Sequence, residues 1–189
     1  MKAIIRQTLE QSIRAKKKFV DTHEALMLEC ADTMANTLKA GKKILLFGNG
    51  GSAADCQHIA AEFINRFQME RPPLAAIALT CDTSVITSIG NDYSYDDIFL
   101  KQVQALGKPG DMAVGISTSG NSPNVVRAAE AARDVGMTLV GFSGPGGRLK
   151  EISDMAFCVD APVTARIQEV HIMLGHILCD ITERILYNG

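Results

Sequence analysis

Two stretches of the 189-residue chain carry side chains that could move protons or hold a metal ion. In the first, His58 and Glu62 stand four residues apart in a run of helical composition, which sets them on one helix face a turn apart. A neutral imidazole and a carboxylate so placed can ligate one divalent ion or form a proton-relaying pair. In isolation that spacing is common and more often marks an exposed helix pair. A second stretch adds weight. Gln168, Ile172 and His176 recur at four-residue intervals, and three of the four histidines (58, 171 and 176) lie in these two segments. His171 and Glu169 fall on other faces of the second helix and read as structural or supporting groups. Taken alone, His176 between Leu174 and Leu178 would read as a partly buried core histidine.

Upstream of His58 the chain reads Gly48-Asn49-Gly50-Gly51-Ser52-Ala53, directly after an apolar run. Glycines let the backbone turn sharply and let a ligand approach the main chain. The string fits the dinucleotide pattern G-x-G-x-x-A, but the match is weak by itself. The first acid closing the next strand, Asp82, also lies well past the usual offset of ~20 residues. Ser52-Ala53-Ala54-Asp55 has the form of a capping box, which predicts a helix start at Ser52 and a first-turn carboxylate that would repel a pyrophosphate. The second loop, Ser117-Thr118-Ser119-Gly120-Asn121-Ser122-Pro123, gathers four hydroxyls around one glycine. Ser122-Pro123 predicts an N-cap followed by proline in the first turn, so backbone N–H groups, the helix dipole and hydroxyls converge on one point. That point suits a phosphate monoester; a merely polar turn with a good cap is the alternative. Together the loops predict one phosphorylated ligand, its phosphate on the second loop and its polar body against the first.

These groups need a frame, and the hydropathy pattern supplies it. Residues 2 to 40 lack proline and glycine, and Ile5, Leu9, Ile13, Phe19, Leu26, Leu28, Met34 and Leu38 predict one long helix, or two joined, closed by Gly41. Thereafter short apolar runs at 44–47, 74–79, 112–116, 138–142 and 157–159 predict buried strands. Stretches of helical composition lie between them at 52–67, 83–105, 122–135 and 146–152, the second interrupted at Gly90 and Asn91, and a last helix covers 163–187. Strands alternating with helices predict an α/β fold: a three-layer sandwich with a five-stranded parallel sheet, flanked by helices, and long helices at both chain ends. One domain spans 1–189, with a helical segment 1–40, an α/β core 41–160 and the C-terminal helix 163–187.

Nineteen basic and twenty-one acidic side chains leave a net charge of −2, which argues against an electrostatic grip on nucleic acid or an anionic membrane. The cluster Arg14, Lys16, Lys17, Lys18 reads as a solvated helix face. The five cysteines (30, 56, 81, 158, 179) are odd in number, scattered and without a C-x-x-C pair, so reduced thiols are expected. No apolar stretch reaches the ~18 residues of a membrane span, and the first residues carry no signal-peptide core. The expectation is a soluble, cytoplasmic protein.

At the two loops the sequence resembles the sugar isomerase (SIS) domain family, whose members bind phosphosugars through a Ser/Thr-rich loop after a parallel strand. Within it, Gly48 to Asp55, Asn91-Asp92, Ser117 to Asn124 and Ala165-Arg166-Ile167-Gln168-Glu169 are similar to the bacterial phosphoheptose isomerases. The resemblance implies the SIS fold and conversion of sedoheptulose 7-phosphate to D-glycero-D-manno-heptose 7-phosphate, in precursor synthesis for lipopolysaccharide core and surface polysaccharide. It also implies Glu62 and His176 as acid/base residues and one zinc per subunit on His58, Glu62, Gln168 and His176. Substrate contacts are implied for Asn49, Gly50, Gly51, Ser52, Glu62, Asn91, Asp92, Ser117, Thr118, Ser119, Ser122 and Gln168.

The residue types fit that chemistry. Ketose–aldose isomerisation passes through an enediol and needs a base near the carbon acid and an acid near the oxygens. Two imidazoles, a carboxylate and an amide oxygen suit zinc, although a nitrogen bound to zinc cannot also donate a proton. Two other classes stand beside the isomerase: a non-catalytic SIS adaptor binding the replication initiator protein, which could dispense with Glu62 and His176, and a dinucleotide oxidoreductase. Gln168 and His176, eight residues apart, are separated by ~12 Å of rise and ~80° of rotation on a straight helix. They converge on one ion only if the helix bends or different subunits contribute them. With the long apolar stripes at both chain ends, this predicts a homo-oligomer, the tetramer usual in the family, with shared active sites.

Overall fold

The computed structural model describes residues 1–187. The elements follow in the order α1 (Lys2–Lys39), β1 (Ile44–Gly48), α2 (Gly51–Ile64), β2 (Ala76–Ala78), α3 (Thr83–Asp92), a 3₁₀ turn (Tyr95–Asp97), α4 (Leu100–Leu106), β3 (Met112–Ser117), α5 (Pro123–Val135), β4 (Thr138–Ser143), α6 (Arg148–Ile152), β5 (Met155–Cys158) and α7 (Thr164–Tyr187). The strands form one sheet ordered β2-β1-β3-β4-β5, every pairing parallel. From β1 the chain moves outward to β2, and from β3 it moves the other way to β4 and β5. The C-terminal ends of β1 and β3 therefore meet at a topological switch point, with Gly48 opposite Ile116 in the register. Open parallel sheets bind ligands at that crevice.

Strand periodicity divides the core between two faces. Ile44, Leu46, Met112, Val114, Ile116, Val140 and Phe142 pack beneath α1, α2 and α7. Leu45, Phe47, Ala113 and Leu139 pack on the opposite side with α3, α4, α5 and α6. Both faces are covered, which is why the strands read as unbroken apolar runs. α7 lies mainly along α1 and crosses α2. That crossing is close because Gly175 has no side chain: a Cβ there would stand 2.5 Å from Ile59 Cδ1.

Several boundaries differ from those the sequence predicts. α1 does not: it is the single long helix, one of the two predicted alternatives. α2 stops at Ile64 instead of residue 67, because the side chain of Arg71 takes over its last carbonyls. The strand predicted over 74–79 shortens to Ala76–Ala78, since β2 is an edge strand that pairs only with β1 and leaves Ile77 exposed. β5 starts two residues early, at Met155. The predicted break at Gly90 and Asn91 is absent. The helix runs through both to Asp92, and the chain breaks where the Ser94 hydroxyl accepts from the Asp96 amide. The first turns of α1 stand clear of the sandwich: Ile5, Leu9 and Ile13 are 70%, 59% and 57% exposed.

Candidate active site

Three of the four residues assigned to metal and proton chemistry meet within one chain. Ligand-capable atoms of His58, Glu62 and His176 all lie within 4.8 Å of one another. The two Nε2 atoms of His58 and His176 are 2.8 Å apart, so one ring donates a proton and the other accepts. Glu62 Oε1 is 3.3 Å from His58 Nε2, across the predicted helical turn. The α2–α7 crossing makes this convergence possible, with Ile59 against Gly175 immediately beside His58 and His176. Phe67 stacks on the His176 ring from the turn after α2, its centroid 5.5 Å away. Burial and the adjacent His58 together hold the His176 pKa below the ordinary imidazole value against the opposing pull of Glu62. Its ring is thus neutral near pH 7, able to accept a proton or bind a metal.

Gln168 takes a different place. It sits two turns earlier on α7 against the first glycine loop, where a Cβ on Gly51 would strike its amide nitrogen. The helix therefore spreads its polar groups along the crevice, Gln168 at the loop and His176 deeper along α2. The trio of His58, Glu62 and His176 forms within one chain, while Gln168 stands apart from it on α7. His171 and Glu169 stay outside the trio, as their helix faces predict. His171 is fully buried against the carbonyl of Ser143, and burial lowers its pKa to about 4. Glu169 pairs with Arg166, whose guanidinium also reaches Thr8 O on α1 at 3.3 Å.

The two loops are cross-braced. Asn49 on the first and Asn124 at the start of α5 exchange two amide hydrogen bonds, 2.8 and 2.9 Å long, and the Tyr95 hydroxyl donates to Asn49 Oδ1 at 3.2 Å. In the second loop Ser117 Oγ lies 2.9 Å from Ser122 Oγ and 3.3 Å from Ser119 Oγ. Ser122 occupies the predicted N-cap of α5 with Pro123 behind it, yet its hydroxyl makes no cap bond and turns to its neighbours instead. The hydroxyls form a cluster at a helix N-terminus whose first turn carries no acid, a setting suited to phosphate. The β4–α6 connection backs this loop, Gly144 N donating to Thr118 O and Arg148 N to Asn121 Oδ1.

The capping box predicted at Ser52 is not formed. α2 begins at Gly51 behind Gly50, Ser52 is buried inside the first turn, and no acid lies in that turn. Gly50, free to take φ +55°, caps the helix two residues sooner than a Ser52 cap would. Asp55 instead keeps a buried, unpartnered Oδ2, and burial raises its pKa against the opposing influence of His58. Asn91 and Asp92 bond each other at 2.8 Å on the exposed end of α3, and their side chains make no hydrogen bond to either loop among the described residues. Asn124, Tyr95 and Phe67 were not singled out from sequence. Asn124 carried a signal, as a polar residue opening an otherwise apolar helix face, whereas nothing local distinguishes Tyr95 or Phe67.

Comparison with known proteins bears on the family and the fold. The SIS domain family matches residues 9–144. A phosphoheptose isomerase from Nitratidesulfovibrio vulgaris is 57% identical over 180 residues, covering 95% of this chain and 86% of that protein. The structure of a phosphoheptose isomerase from Neisseria gonorrhoeae superposes with a TM-score of 0.90 at 44% identity, over 96% of this chain and 98% of the other. One from Francisella tularensis gives a TM-score of 0.92 at 39% identity, over 96% and 97% of the two chains.

Proposed function

We propose a specific reaction for this chain, which belongs to the SIS domain family and, within it, to the phosphoheptose isomerases. It is a sugar-phosphate isomerase of heptose biosynthesis. The reaction we assign is sedoheptulose 7-phosphate to D-glycero-D-manno-heptose 7-phosphate through an enediol, for lipopolysaccharide core and surface polysaccharide. The observation that carries this reading is the meeting of His58, Glu62 and His176 in one chain.

In this reading the phosphate docks on Ser117, Thr118, Ser119 and Ser122, and the sugar hydroxyls face Asn49, Gly50, Gly51, Ser52, Asn91, Asp92 and Gln168. Glu62 carries the proton between the adjacent carbons, and His176 exchanges protons with the oxygens. The Asn49–Asn124 bond keeps the two loops at a fixed span, so a docked phosphate holds the reacting end at Glu62. The donor set fits a divalent cation, with zinc our assignment: His58, Glu62 and His176 offer two nitrogens and an oxygen within reach of one point. Gln168, held against Gly51 eight residues before His176, would join them through a bend in α7 or from a second chain. A bound ion would supply polarisation of the substrate's carbonyl end.

Residues 1–189 form one domain in this reading, the last two lying outside the described residues. The exposed stripe of Ile5, Leu9 and Ile13 supports a homo-oligomer, which we assign as a tetramer with residues around each site shared between chains. Five free cysteines accord with the cytoplasm. The deciding experiment incubates the protein with sedoheptulose 7-phosphate, with ribulose and fructose phosphates as competitors, and analyses the product. Formation of the heptose 7-phosphate is expected; its absence, or faster turnover of a competitor, rejects the assignment.

A further inference from the structure

The C-terminal end of α2 lacks the usual terminating devices. Its cap is Asn65, and no glycine follows to turn the chain. One guanidinium does that work instead. Arg71 Nη2 donates to Glu62 O at 2.8 Å, and Nη1 donates to Phe63 O at 2.7 Å, to Asn65 O at 3.4 Å and to Pro72 O at 3.1 Å. The remaining donor, Nε, reaches Glu183 Oε1 on α7 at 3.0 Å, while Glu183 Oε2 accepts from the Gln68 amide at 3.0 Å. Both side chains are 1% exposed. Burial alone would raise the Glu183 pKa, but the Gln68 and Met69 amides and Arg71 outweigh it, and the carboxylate stays ionised.

This pair joins two particular points. At one end it grips the backbone carbonyl of Glu62. At the other it grips α7 two turns beyond His176. A buried ion pair is a poor choice where only stability is wanted, since apolar side chains of equal volume are often as good or better. What it offers is a fixed geometry: a planar fork with defined donor directions, which lysine cannot reproduce from its single nitrogen. We propose that Arg71 and Glu183 are positioning residues for the isomerase reaction, holding Glu62 at its working distance from His58 and His176. The kinetic part of this proposal rests on the functional reading above; its geometric part does not.

The test compares wild type with Arg71→Lys, Glu183→Gln and the double variant Arg71→Met/Glu183→Leu, which refills the space with apolar atoms. Each is measured for thermal unfolding, for kcat and KM, and for Zn²⁺ affinity of the metal-stripped protein by competition with a chromophoric chelator. The double variant is expected to melt cooperatively, with kcat at least ~10-fold lower and KM within ~2-fold, because the phosphate loop lies on another strand. Its Zn²⁺ affinity should fall about 10-fold, the low end for losing groups that orient metal ligands. Glu183→Gln and Arg71→Lys should each show the same kcat-without-KM loss in smaller degree, since lysine cannot reproduce the fork. Folded variants with wild-type kcat and Zn²⁺ affinity overturn the proposal, as does a kcat loss that merely matches a smaller folded fraction. If the double variant does not fold, the two single variants decide by the same criteria. A wild type that isomerises no heptulose phosphate would remove the functional reading, and the Zn²⁺ measurement would still decide the geometric one.

Discussion

Gly175→Ala tests whether the closeness of α2 and α7 makes the site. The new Cβ would stand 2.5 Å from Ile59 Cδ1 and 2.7 Å from Cγ1, where carbon atoms prefer about 3.5–4.0 Å. Ile59 is β-branched and 97% covered, so its side chain has little room to turn aside. The helices must therefore part locally by about 1 Å. Overpacking of this kind costs about 1–3 kcal/mol, against a gain of about 0.5–1 kcal/mol for alanine over glycine in a helix. The net expectation is a loss of about 1 kcal/mol, or roughly 2–4 °C in Tm for a chain of this size. The effect on catalysis should be larger, since His58 adjoins Ile59 and His176 adjoins Gly175. A displacement of about 1 Å can cost on the order of 100-fold, so kcat should fall at least ~10-fold. Adding Ile59→Ala clears the contact and should recover a substantial part of kcat, although it deepens the stability loss by leaving a cavity. Denaturant unfolding and steady-state kinetics on the three variants read both quantities. A Gly175→Ala protein that gains stability and keeps full kcat would refute the reasoning.

Glu62→Gln and His176→Gln should each lower kcat at least ~100-fold with folding intact, and near-normal turnover in either removes its assigned role. Ser119→Ala should weaken substrate and inorganic phosphate together; unchanged phosphate inhibition alongside collapsed catalysis would move the phosphate elsewhere. Mixed oligomers of the Glu62→Gln and His176→Gln chains should stay inactive, because one chain supplies both groups, and regained activity would show exchange between chains. His171 is held neutral by burial, with a pKa of about 4 against about 6.5 in the unfolded chain. The unfolded state thus binds the extra proton first as pH falls, and the protein should lose roughly 2 kcal/mol between pH 7 and 5 from this group. His171→Gln should flatten that part of the pH–stability curve, and an unchanged slope would assign it to other residues.

The frame was legible in the sequence wherever burial imposes a period. The strands around Leu45, Val114 and Val140 are covered on both faces and could be read from their apolar runs, and α1 from a stretch free of breakers. His58 and Glu62 could be paired because four residues make one helical turn. The ends of elements were less legible, because distant residues set them. Nothing in residues 52–67 announces that Arg71 will end α2 at Ile64, or that Phe67 will then fold back onto His176. The proposed capping box failed for a related reason: a glycine of positive φ competes for the same helix start, and local spacing does not rank the two. The meeting of His58 with His176, 118 residues apart, depends on a glycine whose role appears only when two helices cross.

The length of α1 has a further consequence. Its 38 residues make a rod of about 57 Å, whereas a compact chain of this size has a radius of gyration of only about 16 Å. The first three turns project past the sandwich, tethered near Thr8 by Arg166. A projecting helix without tertiary cover is marginal in water, and its amides open readily. Hydrogen exchange over residues 2–10 should therefore be fast in dilute protein and should slow as concentration rises and another chain covers Ile5 and Leu9, while amides of β1 and β3 stay protected throughout. The arm thus serves as an internal gauge of assembly, readable without substrate.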